Sequence, residues 1–346
     1  MRLALLRLLI PILAPALLGM QAPRIGVIDF YGARKTPPAE LRKALGIREG
    51  SPLPGARAAL EQRLEAVPNV VRARLSAACC EAGNAILYVG IEERGAAHFD
   101  LHAAPDQELY VPTDIADAYQ NFLDAVSAAA RAGVAAEDLS QGHSLISDPS
   151  ARGAQERFIP LAEQHAAELR AVIRGAADPQ QRAIAAYVIG YHPEKPRVVD
   201  DVIYALRDAD ETVRANAIRS LAALAVYAAK NPQTGLKVPA TWLVEMLNSL
   251  EWSDRNNAAV TLVTLTESRN PGLLAQLKER ALPSLLEMAA WRHLPHALPA
   301  YILVGRIAGV SEPELRKAWS EGRRDSIIRR AGGASAGIRS APPGRR

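Results

Sequence analysis

The sequence predicts a mostly α-helical chain, built as a solenoid of antiparallel helix pairs and preceded by a small α+β domain. Two observations point to the helical class. An Asp-Arg-Ala pattern occurs twice, 32 residues apart, in DPQQRAIAAYVIG (178–190) and DETVRANAIRSLA (210–222). Hydrophobic residues make up 49% of the chain but aromatic residues only 5%, so its cores depend on Ala, Leu, Val and Ile. A third observation sets the α+β domain apart: residues 24–94 contain segments rich in β-branched residues, which favour strands.

This first domain has the predicted order strand, helix, helix, strand, strand. RIGVIDFYG (24–32) is typical of a strand that ends at a glycine. TPPAELRKALGI (36–47) has proline near its start and glycine near its end, which is typical of a short helix. GARAALEQRLEAV (55–67) has the apolar spacing of a second helix. NVVRARLSAACC (69–80) and NAILYVGIEE (84–93) then form a predicted hairpin.

These elements resemble a POTRA domain, a small module of periplasmic outer-membrane assembly and cell-division proteins. The resemblance depends on IDFYGARKTPPAELRKALGIREGSPL (28–53), LEAVPNVVRARL (64–75) and LYVGIEE (87–93). It implies protein contacts, often made by adding a strand to an exposed sheet edge. A generic two-layer domain with no docked peptide is the open alternative.

The repeated pattern predicts helix pairs that bury their apolar faces against their neighbours in sequence. Residues 178–222 resemble HEAT repeats, and DADETVRANAIRSLAAL (208–224) is similar to the inner helix of that family. The resemblance implies a structural ladder in which Arg214 bonds the turn Asp of a neighbouring repeat, with Asp210 at its own turn. In the copy before it, Asp178 and Arg182 occupy the same two places. Asn257 replaces the arginine further on, so we expect the ladder to end there.

The chain divides into five predicted parts. Residues 321–346 contain seven arginines against Glu321 and Asp325 in a Gly-, Ser- and Pro-rich context, which is typical of disorder. The predicted parts are a signal peptide or N-terminal anchor (1–22), the POTRA-like domain (24–94), a linker and helical connector (95–175), the HEAT-like repeats (176–320) and a disordered basic tail (321–346).

The N-terminal segment predicts export. Arg2 and Arg7 flank the start of a mostly apolar stretch, residues 8–20, which is interrupted by Pro11 and Pro15. A membrane-spanning helix needs roughly 20 residues, so a signal peptide fits better. The cleavage site that would follow is poor, which leaves an uncleaved anchor, with peripheral membrane association, as an alternative. Both interpretations place the protein in the cell envelope, periplasmic or secreted.

HFDLH (98–102) is the most metal-like fragment of the sequence. On a strand, His98, Asp100 and His102 would share one face and could present three ligands to a cation. A solvated connecting segment is the alternative interpretation, and the one that we favour.

Cys79 and Cys80 are adjacent, so a disulfide between them would close a strained ring. On a strand their side chains point to opposite faces. One is expected to be buried as a small apolar residue, and the other to be a free thiol or to pair between chains.

The sequence lacks the common catalytic and cofactor motifs. It contains no Walker loop, HExxH, CxxC or GxGxxG, and GHSLI (142–146) lacks the second glycine of a nucleophile elbow. The basic excess lies in the tail, which does not favour nucleic-acid binding. We therefore expect an exported, non-enzymatic scaffold without a cofactor that binds a protein partner. The alternative is an enzyme or enzyme accessory, lyase-like or metal-dependent, since some HEAT-like proteins resemble chromophore lyases and metal-dependent modifiers.

Overall fold

The computed structural model describes residues 23–81 and 83–333. The predictions of an N-terminal signal or anchor and of disorder at residues 334–346 lie outside the described residues. No helix within residues 23–81 and 83–333 has the length and apolar character that a bilayer crossing requires.

The N-terminal part has the predicted order of elements. It consists of β1 (Ile25–Tyr31), α1 (Pro38–Leu45), α2 (Ala58–Glu65), β2 (Val70–Glu81) and β3 (Asn84–Glu93). The sheet order is β1-β3-β2, with β1 parallel and β2 antiparallel to β3.

The two faces of this sheet belong to different cores. Leu75, Leu87 and Val89 pack on one face against the buried side of α1 and α2, which includes Leu41 and Leu64. Residues of the opposite face, such as Tyr31, Ile86 and Tyr88, belong to the core of the helical part. The domain is therefore packed onto the helices through a whole sheet face.

A connector leads from the sheet to the repeats. Residues 94–112 have almost no regular structure, which agrees with a connecting segment. The connector then forms α3 (Thr113–Arg131), a small hairpin of β4 (Glu137–Asp138) and β5 (Leu145–Ile146), α4 (Pro149–Glu156) and α5 (Phe158–Gln164).

The remaining helices form the predicted solenoid. They are α6 (Ala166–Gly175), α7 (Pro179–Ile189), α8 (Val199–Ala205), α9 (Glu211–Lys230), α10 (Thr241–Met246), α11 (Trp252–Leu265), α12 (Pro271–Arg280), α13 (Leu282–Ala289), α14 (Leu294–Ile307), α15 (Glu312–Ser320) and α16 (Arg324–Gly332). The four helices α7, α9, α11 and α14 pack on one another in that order, and we call them the inner row. Helices α6, α10 and α13 pack on α7, α11 and α14, respectively, and α8 packs on both α7 and α9.

Part of the segment predicted as a disordered basic tail is helical. The prediction of disorder from residue 321 onward is wrong for Arg324–Gly332, which forms α16. Ile327 and Ile328 are buried in this helix, which packs against α13 and α14. Two adjacent isoleucines thus provide the apolar burial that the overall composition of the tail does not suggest.

Candidate functional site

A ladder of buried arginines ties consecutive repeats together near the start of the inner-row helices. Arg182, the fourth residue of α7, donates from Nε and Nη2 to the two carboxylate oxygens of Asp208, at 2.7 and 2.9 Å. Its Nη1 donates to the carbonyls of Ala176 and Ala177. Only 2% of the Arg182 side chain and 5% of the Asp208 side chain are exposed. This geometry fixes how one helix pair sits on the next.

Arg214, the fourth residue of α9, repeats the arrangement one step further along the row. Its Nε lies 3.0 and 2.9 Å from the two carboxylate oxygens of Asp254. Its Nη1 donates to the carbonyls of Asp208 and Ala209. Ser249 Oγ also donates to the Asp254 carboxylate, at 2.7 Å. The guanidinium and its carboxylate are therefore both paired and fully buried.

The ladder contains the predicted arginines but not the predicted aspartates. Asp178 and Asp210 accept hydrogen bonds from backbone N–H groups in the first turns of α7 and α9 instead. Their short side chains reach their own helix starts, which is the usual role of an N-cap residue. The acidic partners of the ladder are Asp208 and Asp254.

The ladder also runs one step further than predicted. Arg255 is the fourth residue of α11, and its Nε donates to the Ser249 carbonyl at 2.5 Å. Its Nη1 lies 3.8 Å from Glu287 Oε2, a looser pairing than in the first two steps. The expected end at Asn257 is therefore wrong, since Arg255 holds the equivalent position. In α14 the fourth residue is Ala297, and the series of arginines ends there.

The ninth residues of the inner-row helices share one side of the row, which we call the inner face. They are Tyr187 in α7, Arg219 in α9, Val260 in α11 and Ile302 in α14. Tyr187 is buried, with 4% of its surface exposed, whereas Val260 is 50% exposed. Equivalent positions of one helical row therefore differ in what covers them.

The α7 part of the inner face is covered by the connector helices. The Tyr187 ring lies 5.6 Å from Tyr119 and 5.1 Å from Phe122, both on α3, measured between ring centroids. Phe158 of α5 lies 5.8 Å away. Tyr119 also lies near Asn216 of α9, whose amide donates to the Ala183 carbonyl at 2.9 Å. Aromatic packing of this kind buries a large apolar area.

The α9 part of the inner face is only partly covered by the β4–β5 hairpin, since the Arg219 side chain remains 42% exposed. Glu137 of the hairpin forms an ion pair with Arg219. Ser144 Oγ donates to the Glu137 carboxylate at 2.9 Å, which holds this carboxylate from the other side of the hairpin. The cover is polar here, in contrast to the aromatic cover of α7.

The α11 and α14 parts of the inner face are open and uncharged. The charged residues of these two helices are Asp254, Arg255 and Arg306, and all three are buried. Every exposed or half-buried side chain on the inner face of the two helices is uncharged. The apolar ones are Val260, Val263, Pro295, Leu298, Pro299 and Ile302, and the polar ones are Ser253, Asn256, Asn257 and Thr264. Surface helices of a soluble protein ordinarily place charged residues on the solvent side. Depletion of charge over an apolar surface is typical of the centre of a protein interface.

The sheet of the N-terminal domain is docked on the beginnings of α11 and α14. Tyr88 stacks on Trp252, with ring centroids 4.9 Å apart, and its hydroxyl lies 2.7 Å from His296 Nδ1. The Tyr31 hydroxyl donates to the Leu250 carbonyl at 2.7 Å. Burial and the neighbouring His293 lower the pKa of His296 to about 4. The imidazole is therefore neutral at physiological pH and compatible with this aromatic setting.

Arginines at the edge of this contact complete the docking. Arg292 donates to the Asp29 carboxylate and to the Ile28 carbonyl, and it pairs with Glu49. Arg34 donates to Glu287 at 3.0 Å. One face of the sheet is thus committed to the protein's own helices.

Both outer edges of the sheet are engaged by side chains. On β2, the Ala73 N–H donates to Glu65 and the Leu75 N–H donates to Glu61, both on α2. Arg57 donates to the Leu75 carbonyl. On β1, the Ile28 N–H donates to Glu49 at 3.1 Å. A strand added at either of these positions would have to displace a carboxylate.

The three predicted metal ligands are not assembled. His98 Nε2 lies 2.9 Å from Asp100 Oδ1 in an exposed pair. His102 is turned toward the Tyr204 ring, 4.3 Å away between centroids. Residues 98–102 are not a strand, so the alternation on which the prediction depended does not apply. Over residues 23–81 and 83–333, no cluster of three or more His, Cys, Asp and Glu side chains could hold a metal ion.

Cys79 lies on β2, is exposed and takes part in a disulfide bond. It is therefore neither the buried apolar cysteine nor the free thiol of the sequence prediction. The side chain of Cys80 lies outside the described part of the chain, and the prediction that concerns it stays a prediction.

A buried lysine and histidine meet under the hairpin loop, a pair that the sequence did not predict. Lys195 Nζ lies 2.9 Å from His143 Nδ1 and 3.3 Å from the Gly190 carbonyl. Burial lowers the pKa of Lys195 to about 8, and burial together with the Lys195 charge lowers the pKa of His143 to about 4. Gly142 leaves room for this contact, since a Cβ there would lie 3.0 Å from Lys195 Cε. The pair attaches the loop that precedes β5 to the end of α7.

Comparison with known proteins supports the helical repeats. Residues 166–263 match the family model of HEAT repeats, a span that begins at α6 and ends within α11. The chain is similar to the solved structure of a designed armadillo repeat protein, with 17% sequence identity and a TM-score of 0.34 over 56% of this chain and 96% of that one. That likeness is too weak to carry an argument. No curated protein matches the chain. Residues 166–263 are thus similar to HEAT repeats.

Proposed function

We propose that this chain is an exported scaffold that binds a protein partner through the open inner face of α11 and α14. The observation that carries the proposal is the absence of charge from this face, where Val260 is 50% exposed. In a chain with 23% charged residues, solvated helices are expected to carry charge on their open side. An uncharged apolar surface is instead suited to a partner that removes it from water.

The POTRA-like interpretation of the N-terminal domain is part of this proposal. It is supported by the order of elements and by the parallel pairing of β1 with β3. Strand addition, which the resemblance implies, has little support because carboxylates occupy β-edge N–H groups and one sheet face is docked. We therefore assign partner binding to the solenoid first.

Export is the second part of the proposal, and residues 1–22 support it. A fractionation experiment tests it, combined with mass spectrometry of the mature N-terminus. Recovery of the full chain from the cytoplasm with Met1 intact would contradict export. Recovery from the envelope distinguishes cleavage from anchoring by the mass of the first peptide.

Cross-linking of the intact protein in cells tests the binding surface. We compare the wild type with Val260→Asp, which places a charge in the open face, and with Val134→Asp as a matched control. Val134 is 43% exposed and lies in the connector. We expect Val260→Asp to lose specific cross-linked proteins that Val134→Asp retains. An unchanged set of partners in Val260→Asp would mean that this face is not the binding surface.

A further inference from the structure

We infer that the partner segment on the open inner face is an amphipathic helix with uncharged aliphatic or aromatic residues at i, i+3 and i+4 spacing. This inference rests on the proposed function and names the kind of partner. The α7 part of the same face is already occupied by a helix of the chain itself.

The chain itself shows how a helix is seated on this face. Helix α3 places Tyr119 and Phe122, three residues apart, against Tyr187 at the ninth position of α7. Both side chains therefore lie on one side of α3, as residues at i and i+3 do. Tyr119 also lies near Asn216, at the sixth position of α9. The internal occupant is thus a helix that combines apolar contact with a nearby polar group.

The open part of the face repeats these features. Val260 holds the ninth position of α11, and Asn257 holds the sixth position, the one that Asn216 holds in α9. Asn257 is half-buried and Val260 exposed, so both are accessible to a ligand. The open part belongs to the same row as the occupied part, because α9 packs on α11. The same kind of occupant is therefore expected one or two repeats further along.

Charge decides which side of the partner helix makes the contact. Helices α11 and α14 offer no exposed charged side chain on this face, so a charged residue placed against them would lose hydration without gaining an ion pair there. Uncharged apolar residues at helical spacing meet no such cost and are the usual anchors of a helix bound in a groove. A hydroxyl or amide near Asn257 would take the place of the Tyr119 hydroxyl.

A synthetic peptide of residues 113–131 provides a direct probe, since α3 is a helix that already sits on the α7 part of this face. Its binding to the full chain is followed by fluorescence anisotropy of a dye at the peptide N-terminus. We expect saturable binding that weakens at least ten-fold with Val260→Asp in the protein or with Phe122→Glu in the peptide. Val134→Asp in the protein should leave it unchanged. Tyr119→Phe in the peptide keeps the ring and should weaken binding less than Phe122→Glu does.

Two results would overturn the inference. One is the lack of saturable binding, and the other is binding that Val260→Asp does not weaken. The cross-linking experiment shows whether a negative peptide result contradicts only the helical partner or also the proposed binding surface. If Val260→Asp abolishes capture of the cellular partner but the peptide does not bind, the surface is a binding site for something other than a helix. If partner capture is unaffected, the proposed surface itself is wrong.

Discussion

The first and third helices of the inner row show how one repeat position can serve two purposes. Tyr187 in α7 and Val260 in α11 are both ninth residues, but 4% of Tyr187 and 50% of Val260 is exposed. The difference lies in the cover, because α3 and α5 lie over α7 and none of the described elements encloses Val260. The repeat thus fixes the framework, and the added elements decide which part of its surface remains available.

The ladder is common to the covered and the open region, so its loss should affect both. Asp208→Ala should leave the Arg182 guanidinium buried without a carboxylate, which typically costs about 3–5 kcal/mol. Asp178→Ala removes only an N-cap and should cost about 1 kcal/mol. Urea denaturation of the two variants measures the difference. Equal losses of stability would contradict the assignment of Asp208 as the ladder partner.

The aromatic cover should be sensitive to truncation, and the open face should not. Phe122→Ala removes a buried ring that contacts Tyr119, Phe158 and Tyr187, at an expected cost of about 3 kcal/mol. Val260→Ala should change the free energy of unfolding by less than about 0.5 kcal/mol. Thermal and urea unfolding measure both variants. A large loss in Val260→Ala would mean that Val260 is part of the core.

The sequence predicts the framework well because its signals are local. Capping residues, glycines and apolar spacing mark the helices, and the arginines at the fourth positions of α7 and α9 stand out through their 32-residue repeat. Arg255 is missed because an insertion between α9 and α11 makes the interval after Arg214 longer than 32 residues. The sequence pattern therefore aligns on Asn257 instead of Arg255. Asp208 is missed because Asp210 lies closer to the helix start, and only the packed structure decides which carboxylate faces Arg182.

The candidate surface could not be predicted in the same way. Whether Val260 is open depends on where α3, the hairpin and the sheet come to lie, and these contacts join residues far apart in sequence. The docking of Tyr88 on Trp252 is such a contact. So is the pair of Lys195 with His143. Single-sequence periodicity identifies an apolar side of a helix but not the element that covers it.

The pH dependence of stability should report on the loop under the polar cover. The pKa of His143 is lowered from 6.5 to about 4, so between these values the unfolded chain binds a proton that the folded protein excludes. Stability should therefore rise with pH from about 4 to 6.5, and part of this rise should disappear in His143→Gln. The groups that act on His143 are Lys195, Arg152 and Asp138. Urea midpoints at several pH values measure the effect, and parallel pH profiles for the two proteins would contradict it.

The polar part of the cover depends on the ion pair between Glu137 and Arg219, which is partly exposed on both sides. Glu137→Gln should cost only about 0.2–1 kcal/mol of stability, as is usual for such pairs. Its larger consequence should be local, because this pair closes the hairpin over the second helix of the inner row. Hydrogen exchange at residues 137–146 should speed up in Glu137→Gln, while exchange within α11 should stay unchanged. If α9 then became available to the α3 peptide, the peptide would bind at two sites instead of one. Such a result would show that the boundary between the covered and the open inner face is set by a single pair of side chains.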